Sequence, residues 1–82
     1  MAHMSEDVRR LVGGNVRRLR TAAGLTQAEL AVKMGVDRAY VSALELGGRN
    51  PTIVTLWHLA QALGIRFAEL FQQRSRPRKS GR

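Results

Sequence analysis

The stretch TQAELAVKMGVDRAYVSALE, residues 26–45, restricts the possible fold more than any other part of the chain. Apolar residues recur at helical spacing on both sides of Gly35, which predicts two amphipathic helices. The inward faces are Leu30, Ala31 and Met34 in the first helix and Val41 and Leu44 in the second. Each helix has barely two turns, so the chain must hold two short helices at a fixed angle around one turn.

The ends of these two helices carry recognisable signals. Thr26 and Glu29 have the spacing of a capping box, in which each residue satisfies a backbone N–H of the other. Gly35 is expected to end the first helix, and Asp37 is expected to cap the second. Two short helices joined by a three- or four-residue turn with a glycine form a helix-turn-helix.

A longer helix is predicted before this motif, from about Ser5 to Ala23. Ser5 is expected to cap it and Gly24 to end it. Gly13 and Gly14 each cost about 1 kcal/mol relative to alanine, so a kink or a frayed first half is expected there. The inward positions follow a spacing of three and four: Val8, Leu11, Val12, Val16, Leu19 and Ala23.

Two more helices are predicted after the loop GGRNP. Thr52 is expected to cap the fourth, which Gly64 ends; its apolar side contains Ile53, Leu56, Leu59, Ala60 and Leu63. A short fifth helix follows, and Phe67, Leu70 and Phe71 are expected to close the core. No segment alternates with the period of a strand. The predicted fold class is all-α, a compact five-helix bundle that contains a helix-turn-helix.

The 82 residues are enough for one domain with a small core. Met1, Ala2 and His3 are interpreted as a cloning remnant, so residues 1–4 are set apart and the domain is predicted over residues 5–72. The absence of cysteine fits a reducing, cytoplasmic setting, and no apolar run has the length of a membrane span. We therefore expect a cytoplasmic protein without a membrane partner.

The net charge of +8 is distributed unevenly. Residues 73–82 contain no acidic residue and five basic ones, namely Arg74, Arg76, Arg78, Lys79 and Arg82. This tail has too little apolar surface to form a core, so it is predicted to be disordered. The alternative is an arm that also touches phosphates.

The second helix of a helix-turn-helix, called the recognition helix, has a size that fits the major groove of duplex DNA. The groove is about 12 Å wide and accepts a helix only when the outer face carries small or hydrogen-bonding side chains. The predicted outer face offers Arg38, Ala39, Ser42 and Ala43, with Tyr40 beside them. Double-stranded DNA is therefore the predicted partner.

The segment GLTQAELAVKMGVDRAYVSALELGGRNPTIVTLWHLAQALGI resembles the lambda-repressor-like, or XRE-type, helix-turn-helix family of bacterial and phage transcriptional regulators. The resemblance runs from about Val16 to Leu70 and implies a sequence-specific regulator that binds a palindromic operator as a homodimer. DRAYVSALE followed by RNPT is also similar to the controller proteins of restriction-modification systems. Val32 stands where the family usually has a polar residue. It is expected either to pack against the N-terminal helix, predicted from about Ser5 to Ala23, or to lie exposed.

The resemblance also implies which residues contact DNA. Gln27 aligns with a glutamine that binds a phosphate and braces the recognition helix; the alternative is an ordinary surface residue. Arg38 aligns with the first base-reading position, where it is expected to bind guanine O6 and N7, or else only a phosphate. Arg49 and Asn50 in the following loop are placed for phosphates.

Three of the remaining residues of the recognition face have two interpretations each, and Ser42 has one. Ala39 and Ala43 are expected to contact thymine methyl groups or to leave clearance for the DNA. Tyr40 is expected to donate its hydroxyl to DNA or to pack its ring on the preceding helix. Ser42 is a short donor and acceptor that faces the groove. The predicted base-reading residues are therefore Arg38, Ala39, Tyr40, Ser42 and Ala43.

The resemblance implies that Arg20 and Glu45 form a structural ion pair. This pair is expected to hold the recognition helix against the N-terminal helix that contains Arg20. If this pair is partly buried, removal of one partner leaves an uncompensated charge and costs about 3 to 5 kcal/mol.

Trp57 lies about 100° around its helix from the inward stripe. A tryptophan exposed there is expected to anchor a dimer interface together with Ile65 or Phe67. The alternative is that Trp57 only covers the edge of the core.

No enzymatic function, cofactor or metal site is predicted. His3 belongs to the presumed remnant, His58 falls on the outer side of the fourth helix, and no ligand cluster or glycine-rich phosphate loop is present. Two rival functions are an antitoxin-like protein whose tail folds on a protein partner, and a nonspecific nucleic-acid coating protein.

Overall fold

The computed structural model describes residues 4–73, which form four α-helices and one short 3-10 helix. These are α1 (Met4–Ala22), α2 (Gln27–Met34), α3 (Arg38–Glu45), α4 (Ile53–Leu63) and the 3-10 helix (Phe67–Phe71). No strand occurs in this range, so the all-α prediction is confirmed. The presumed remnant before Met4 and the basic residues from Arg74 onward lie outside the described residues.

Five helices were predicted, and the first four are α-helices, but the last one is not. The segment after Gly64 has five helical residues, and these take 3-10 geometry. So short a segment gains few α-helical hydrogen bonds, and 3-10 turns are usual in pieces of this length.

Most of the predicted helix ends are confirmed. Thr26 Oγ1 accepts a hydrogen bond from Glu29 N at 3.0 Å, and Thr26 N donates to Glu29 Oε1 at 2.8 Å. Thr52 Oγ1 accepts from Thr55 N at 3.1 Å. Gly35 and Gly64 end α2 and α4 with φ of 70° and 69°, a left-handed conformation that favours glycine.

Two predicted caps are wrong in detail. Asp37 occupies the N-cap position of α3, but its side chain makes no capping hydrogen bond. The backbone N–H of Tyr40, one of those that the side chain would bind, donates instead to the Asp37 carbonyl oxygen at 2.9 Å. Ser5 lies inside α1 (Met4–Ala22) and therefore does not occupy an N-cap position.

The core combines apolar side chains from all five elements. Its buried members are Val12, Val16, Leu19, Leu30, Ala31, Val41, Leu44, Leu56, Leu59, Ala60, Leu63 and Leu70. Leu11, Met34 and Phe67 are only partly buried. The helical period therefore predicted the inward direction of each helix correctly.

Four residues expected in the core lie at the surface instead. Val8 is 45% exposed, Ile53 is 73% exposed and Phe71 is 37% exposed, and Ala23 is exposed as well. All four lie within about one turn of the end of a helix. Of the two positions expected for Val32, the structure shows the exposed one.

The helix α1 continues without interruption through the two glycines, where a kink or a frayed first half was expected. Gly13 is buried against the last turn of α3: an added Cβ would overlap the carbonyl oxygen of Leu44 and lie 2.8 Å from that of Glu45. The adjacent Gly14 faces open space, and a Cβ added there would have nothing within 4 Å. Gly13 thus allows the backbones of α1 and α3 to approach closely.

A buried asparagine attaches the 3-10 helix to α1. Asn15 is 4% exposed, and its Nδ2 donates to the carbonyl oxygens of Leu70 at 2.8 Å and Gln72 at 2.9 Å. Its Oδ1 accepts from Arg18 Nη2 at 3.0 Å. The sequence alone did not indicate this role of Asn15, because its partners are distant in the chain and are backbone atoms.

Replacing Gly13 by alanine is expected to destabilise the fold, because the new methyl group meets backbone that cannot rotate away. The expected loss in free energy of unfolding is at least about 1 to 3 kcal/mol. Gly14→Ala is the matched control and is expected to stabilise α1 by up to about 1 kcal/mol. Urea denaturation of both variants measures the difference; equal stability would contradict the close approach.

Candidate nucleic-acid interface

The turn between α2 and α3 is short and well fixed. It consists of Gly35, Val36 and Asp37, and Val36 N donates to Ala31 O at 3.0 Å. The Val36 side chain packs against the core. These contacts hold α3 at one angle to α2 without a long loop.

The helix α3 has one buried and one accessible side. Val41, Leu44 and Glu45 are buried. Arg38 and Ala39 are exposed, and Tyr40, Ser42 and Ala43 are partly exposed. With 8 residues the helix is about 12 Å long, and apart from Arg38 and Tyr40 its accessible side carries only small side chains.

Arg20 and Glu45, the expected ion pair, are in contact. Arg20 Nε donates to Glu45 Oε2 at 2.6 Å, and Nη2 donates to Oε1 at 3.1 Å. Arg20 Nη1 also donates to the carbonyl oxygen of Leu25 at 2.8 Å. The two side chains are 13% and 3% exposed, so this is a buried, two-point ion pair between α1 and the last residue of α3.

The protonation of Arg20 reflects this environment. The hydrogen bond with Glu45 raises the pKa of Arg20 above its usual value, although desolvation acts in the opposite direction. Arg20 is therefore a permanent cation at this position.

Gln27 links the ion pair to the first residue of α3. Its Nε2 donates to Glu45 Oε1 at 3.0 Å, and its Oε1 accepts from Arg38 Nη1 at 2.8 Å. The structure therefore places Gln27, expected to contact a phosphate, between two residues of α3. We call Arg20, Glu45, Gln27 and Arg38 the hydrogen-bond chain.

The loop after α3 places a second arginine beside the accessible side of this helix. The Arg49 guanidinium carbon lies 4.9 Å from the centre of the Tyr40 ring, within the range of a cation–π contact. Gly48 N donates to Ala43 O at 2.8 Å and folds the loop back on α3. Asn50 is exposed next to Arg49, so the loop presents both residues near the recognition side.

A different surface is formed by α4 and the 3-10 helix. Trp57 is 51% exposed, and its ring centre lies 6.2 Å from that of Phe67, which in turn lies 5.6 Å from that of Phe71. Ile53 and Val54 are exposed on the same helix as Trp57. We call Ile53, Val54, Trp57, Phe67 and Phe71 the α4 apolar surface.

The expected dimer residues divide between this surface and the core. Trp57 is exposed, whereas Phe67 and Ile65 are both partly buried against the core. Phe67 also contacts the Trp57 ring and so contributes to the α4 apolar surface. Val54 was not among the predicted residues, and Ile53 and Phe71 were assigned to the core. The excess of apolar residues on α4, more than one buried stripe requires, was the available signal.

Features of a metal site or a membrane segment are absent from the described part of the chain. Residues 4–73 contain no group of histidine, cysteine, aspartate and glutamate that could hold a metal ion. Within the same residues, no helix has the length and apolar character that crossing a membrane requires.

A short glycine turn, a helix with a slim accessible side and flanking arginines together define a helix-turn-helix domain of the DNA-binding type. Residues 16–70 match the Helix-turn-helix family. The chain belongs to the helix-turn-helix family, and it is a DNA-binding transcription regulator of the XRE type.

Similar proteins are found among bacterial regulators. An uncharacterized HTH-type transcriptional regulator, y4dJ of Sinorhizobium fredii, is 53% identical over 64 residues, covering 78% of this chain and 83% of that protein. The control protein C.MunI of a Mycoplasma species is 35% identical over 66 residues, covering 79% and 89%. The crystal structure of the restriction-modification controller protein C.AhdI from Aeromonas hydrophila superimposes with a TM-score of 0.72 at 47% identity, covering 76% and 94%.

Replacing Arg20 by methionine is expected to destabilise the domain strongly, because Glu45 is left buried without its cation. The expected loss in free energy of unfolding is about 3 to 5 kcal/mol. Asp7→Asn is the control: it breaks the exposed pair of Asp7 with Arg10, whose side chains are 71% and 63% exposed, and should cost less than about 1 kcal/mol. Thermal and urea unfolding measure both values, and a similar small loss in the two variants would show that the buried pair is not needed.

Proposed function

We propose that this protein binds a palindromic operator as a homodimer, with one α3 helix in the major groove of each half-site. The observation that carries the proposal is the accessible side of α3, which begins with an exposed arginine and continues with small side chains. A helix of this shape fits the groove without steric conflict. Since two of the relatives are restriction-modification control proteins, we propose a regulator of that type.

Arg38 is the proposed base-reading residue of greatest weight. It stands in the first turn of α3, and the helix-turn-helix directs this end of the recognition helix toward base edges. The guanidinium can bind guanine O6 and N7 with two parallel hydrogen bonds. A guanine in each half-site is therefore expected.

The rest of the accessible side supports Arg38. Ala39 and Ala43 are small enough to approach thymine methyl groups, and Ser42 offers one donor and one acceptor. Tyr40 holds the Arg49 guanidinium over its ring, so its proposed part is to orient Arg49 while its hydroxyl stays available to DNA. These contacts add to discrimination but none replaces Arg38.

The proposed phosphate contacts flank the groove on both sides. Gln27 is the first residue of α2, where the helix N-terminus favours an anion. Arg49 and Asn50 lie in the exposed loop on the other side of α3. Such contacts set the register of the protein on DNA without reading sequence.

The α4 apolar surface is the proposed dimer contact. It is an exposed apolar patch on a small domain, and its central tryptophan is a typical interface anchor. A two-fold contact through this surface would place two α3 helices on one face of the DNA. The half-site centres are then expected about one helical turn, roughly 34 Å, apart.

Arg38→Ala is expected to weaken operator binding by about 1 to 3 kcal/mol per half-site and to remove the preference for guanine. Arg49→Ala is the control, because loss of a phosphate contact should weaken all sequences equally. Selection of sites from random DNA identifies the operator, and competition at matched salt measures each variant on it and on guanine-substituted copies. An Arg38→Ala loss that is equal on every sequence would assign Arg38 to a phosphate.

Trp57→Glu is expected to give a folded monomer with weaker operator binding, because a charge at the centre of the α4 apolar surface opposes burial. Val32→Glu is the control: Val32 is 81% exposed on α2 and is not part of the α4 apolar surface, so the variant should keep the oligomeric state of the wild type. Sedimentation equilibrium measures both. A dimer that persists in Trp57→Glu would rule out this surface as the contact.

A further inference from the structure

Glu45 has more hydrogen bonds than an ion pair needs. Its Oε2 accepts from Arg20 at 2.6 Å, and its Oε1 accepts from both Arg20 at 3.1 Å and Gln27 at 3.0 Å. The Glu45 side chain is 3% exposed, so water does not compete for these oxygens. The third bond connects Glu45 with Gln27 of α2, and Gln27 also binds Arg38 at the other end of α3.

The Gln27 amide has one favoured orientation, which the buried Glu45 carboxylate sets on one side and the exposed Arg38 guanidinium supports on the other. A carboxylate only accepts hydrogen bonds, so the Gln27 NH2 group must face Glu45. The Gln27 oxygen then faces the opposite direction and accepts from Arg38 Nη1 at 2.8 Å. A flipped amide would set oxygen against carboxylate and NH2 against guanidinium, two repulsive contacts in place of two favourable ones.

Glu45 and Arg38 are the last and first residues of α3. Their positions differ by seven, so they lie on nearly the same side of the helix, about 10.5 Å apart along its axis. Gln27 spans this interval from α2. The buried end of α3 is thus connected to the exposed arginine at its other end.

We infer that Glu45 is a positioning residue for base recognition: through Gln27 it holds the Arg38 guanidinium in the direction in which that group meets guanine. The inference rests on the proposed function. It assigns a part in DNA specificity to Glu45, a residue that does not touch DNA. Gln27 occupies one Arg38 N–H, and the other N–H groups stay free for a base. An arginine that is oriented before binding loses less conformational freedom when it binds.

Glu45→Gln tests this inference, because the neutral amide keeps the shape of Glu45 but tolerates the Gln27 amide in either orientation. Guanine discrimination, the ratio of affinities for the selected operator and its guanine-substituted copy, is expected to fall by about tenfold. Asp7→Asn is the matched control: it also neutralises a carboxylate, the exposed one paired with Arg10, but it leaves the hydrogen bonds of Glu45 and Gln27 intact, so its discrimination should stay within about twofold of the wild type. All binding is measured below the unfolding temperature of each variant, as determined by circular dichroism.

Gln27→Met provides a second test that leaves the ion pair intact. Methionine has a similar length and no strong donor or acceptor, so Arg38 loses its partner while Glu45 keeps Arg20. Discrimination is expected to fall as in Glu45→Gln, and the double variant should lose no more than either single one. Additive losses in the double variant would contradict a common route through Gln27.

The outcomes separate this inference from the proposed function. If Glu45→Gln or Gln27→Met, folded, keeps the wild-type preference for guanine, the role of Glu45 is wrong and that of Arg38 stands. If the wild-type protein itself selects no guanine, the role proposed for Arg38 fails and the inference fails with it.

Discussion

The buried ion pair of Arg20 and Glu45 determines where α3 lies. The helix has only two buried apolar residues, Val41 and Leu44, and such a small contact area would allow rotation about the helix axis. A two-point hydrogen bond between a planar guanidinium and a planar carboxylate permits neither rotation nor sliding. Because burial of both charges carries a desolvation cost, the pair contributes orientation more than net stability.

This ion pair also requires a close contact between backbones. Gly13 lets the carbonyl groups of Leu44 and Glu45 lie directly against α1, which brings the end of α3 within reach of Arg20. A larger residue would move the end of α3 away from α1 and lengthen both hydrogen bonds of the pair. The absence of a side chain at Gly13 and the charged side chain of Arg20 therefore both fix the position of the end of α3 against α1.

Features that depend on nearby residues were predictable from the sequence, whereas those that depend on distant ones were not. The capping box and the glycine helix ends involve residues three to four apart, and the helical period showed which way each helix faces. The period says nothing about how far the core extends, so Ile53 was misplaced. Gly13 and Asn15 act on backbone atoms far along the chain, 55 residues away for Leu70, and single residues of these types carry no such signal. Arg20 and Glu45 were paired by family resemblance, but the bridging role of Gln27 toward Arg38 needed coordinates.

The Asn15 anchor has a consequence for the spacing of DNA sites. By holding the carbonyl groups of Leu70 and Gln72, it joins the 3-10 helix, and with it part of the α4 apolar surface, firmly to α1. In the proposed dimer, no flexible hinge then lies between the two-fold contact and the recognition helix. One additional base pair between half-sites moves the second site by about 3.4 Å and rotates it by about 35°. A dimer built this rigidly would tolerate little variation in operator spacing, and it would distinguish operators by the distance between their halves as well as by their bases.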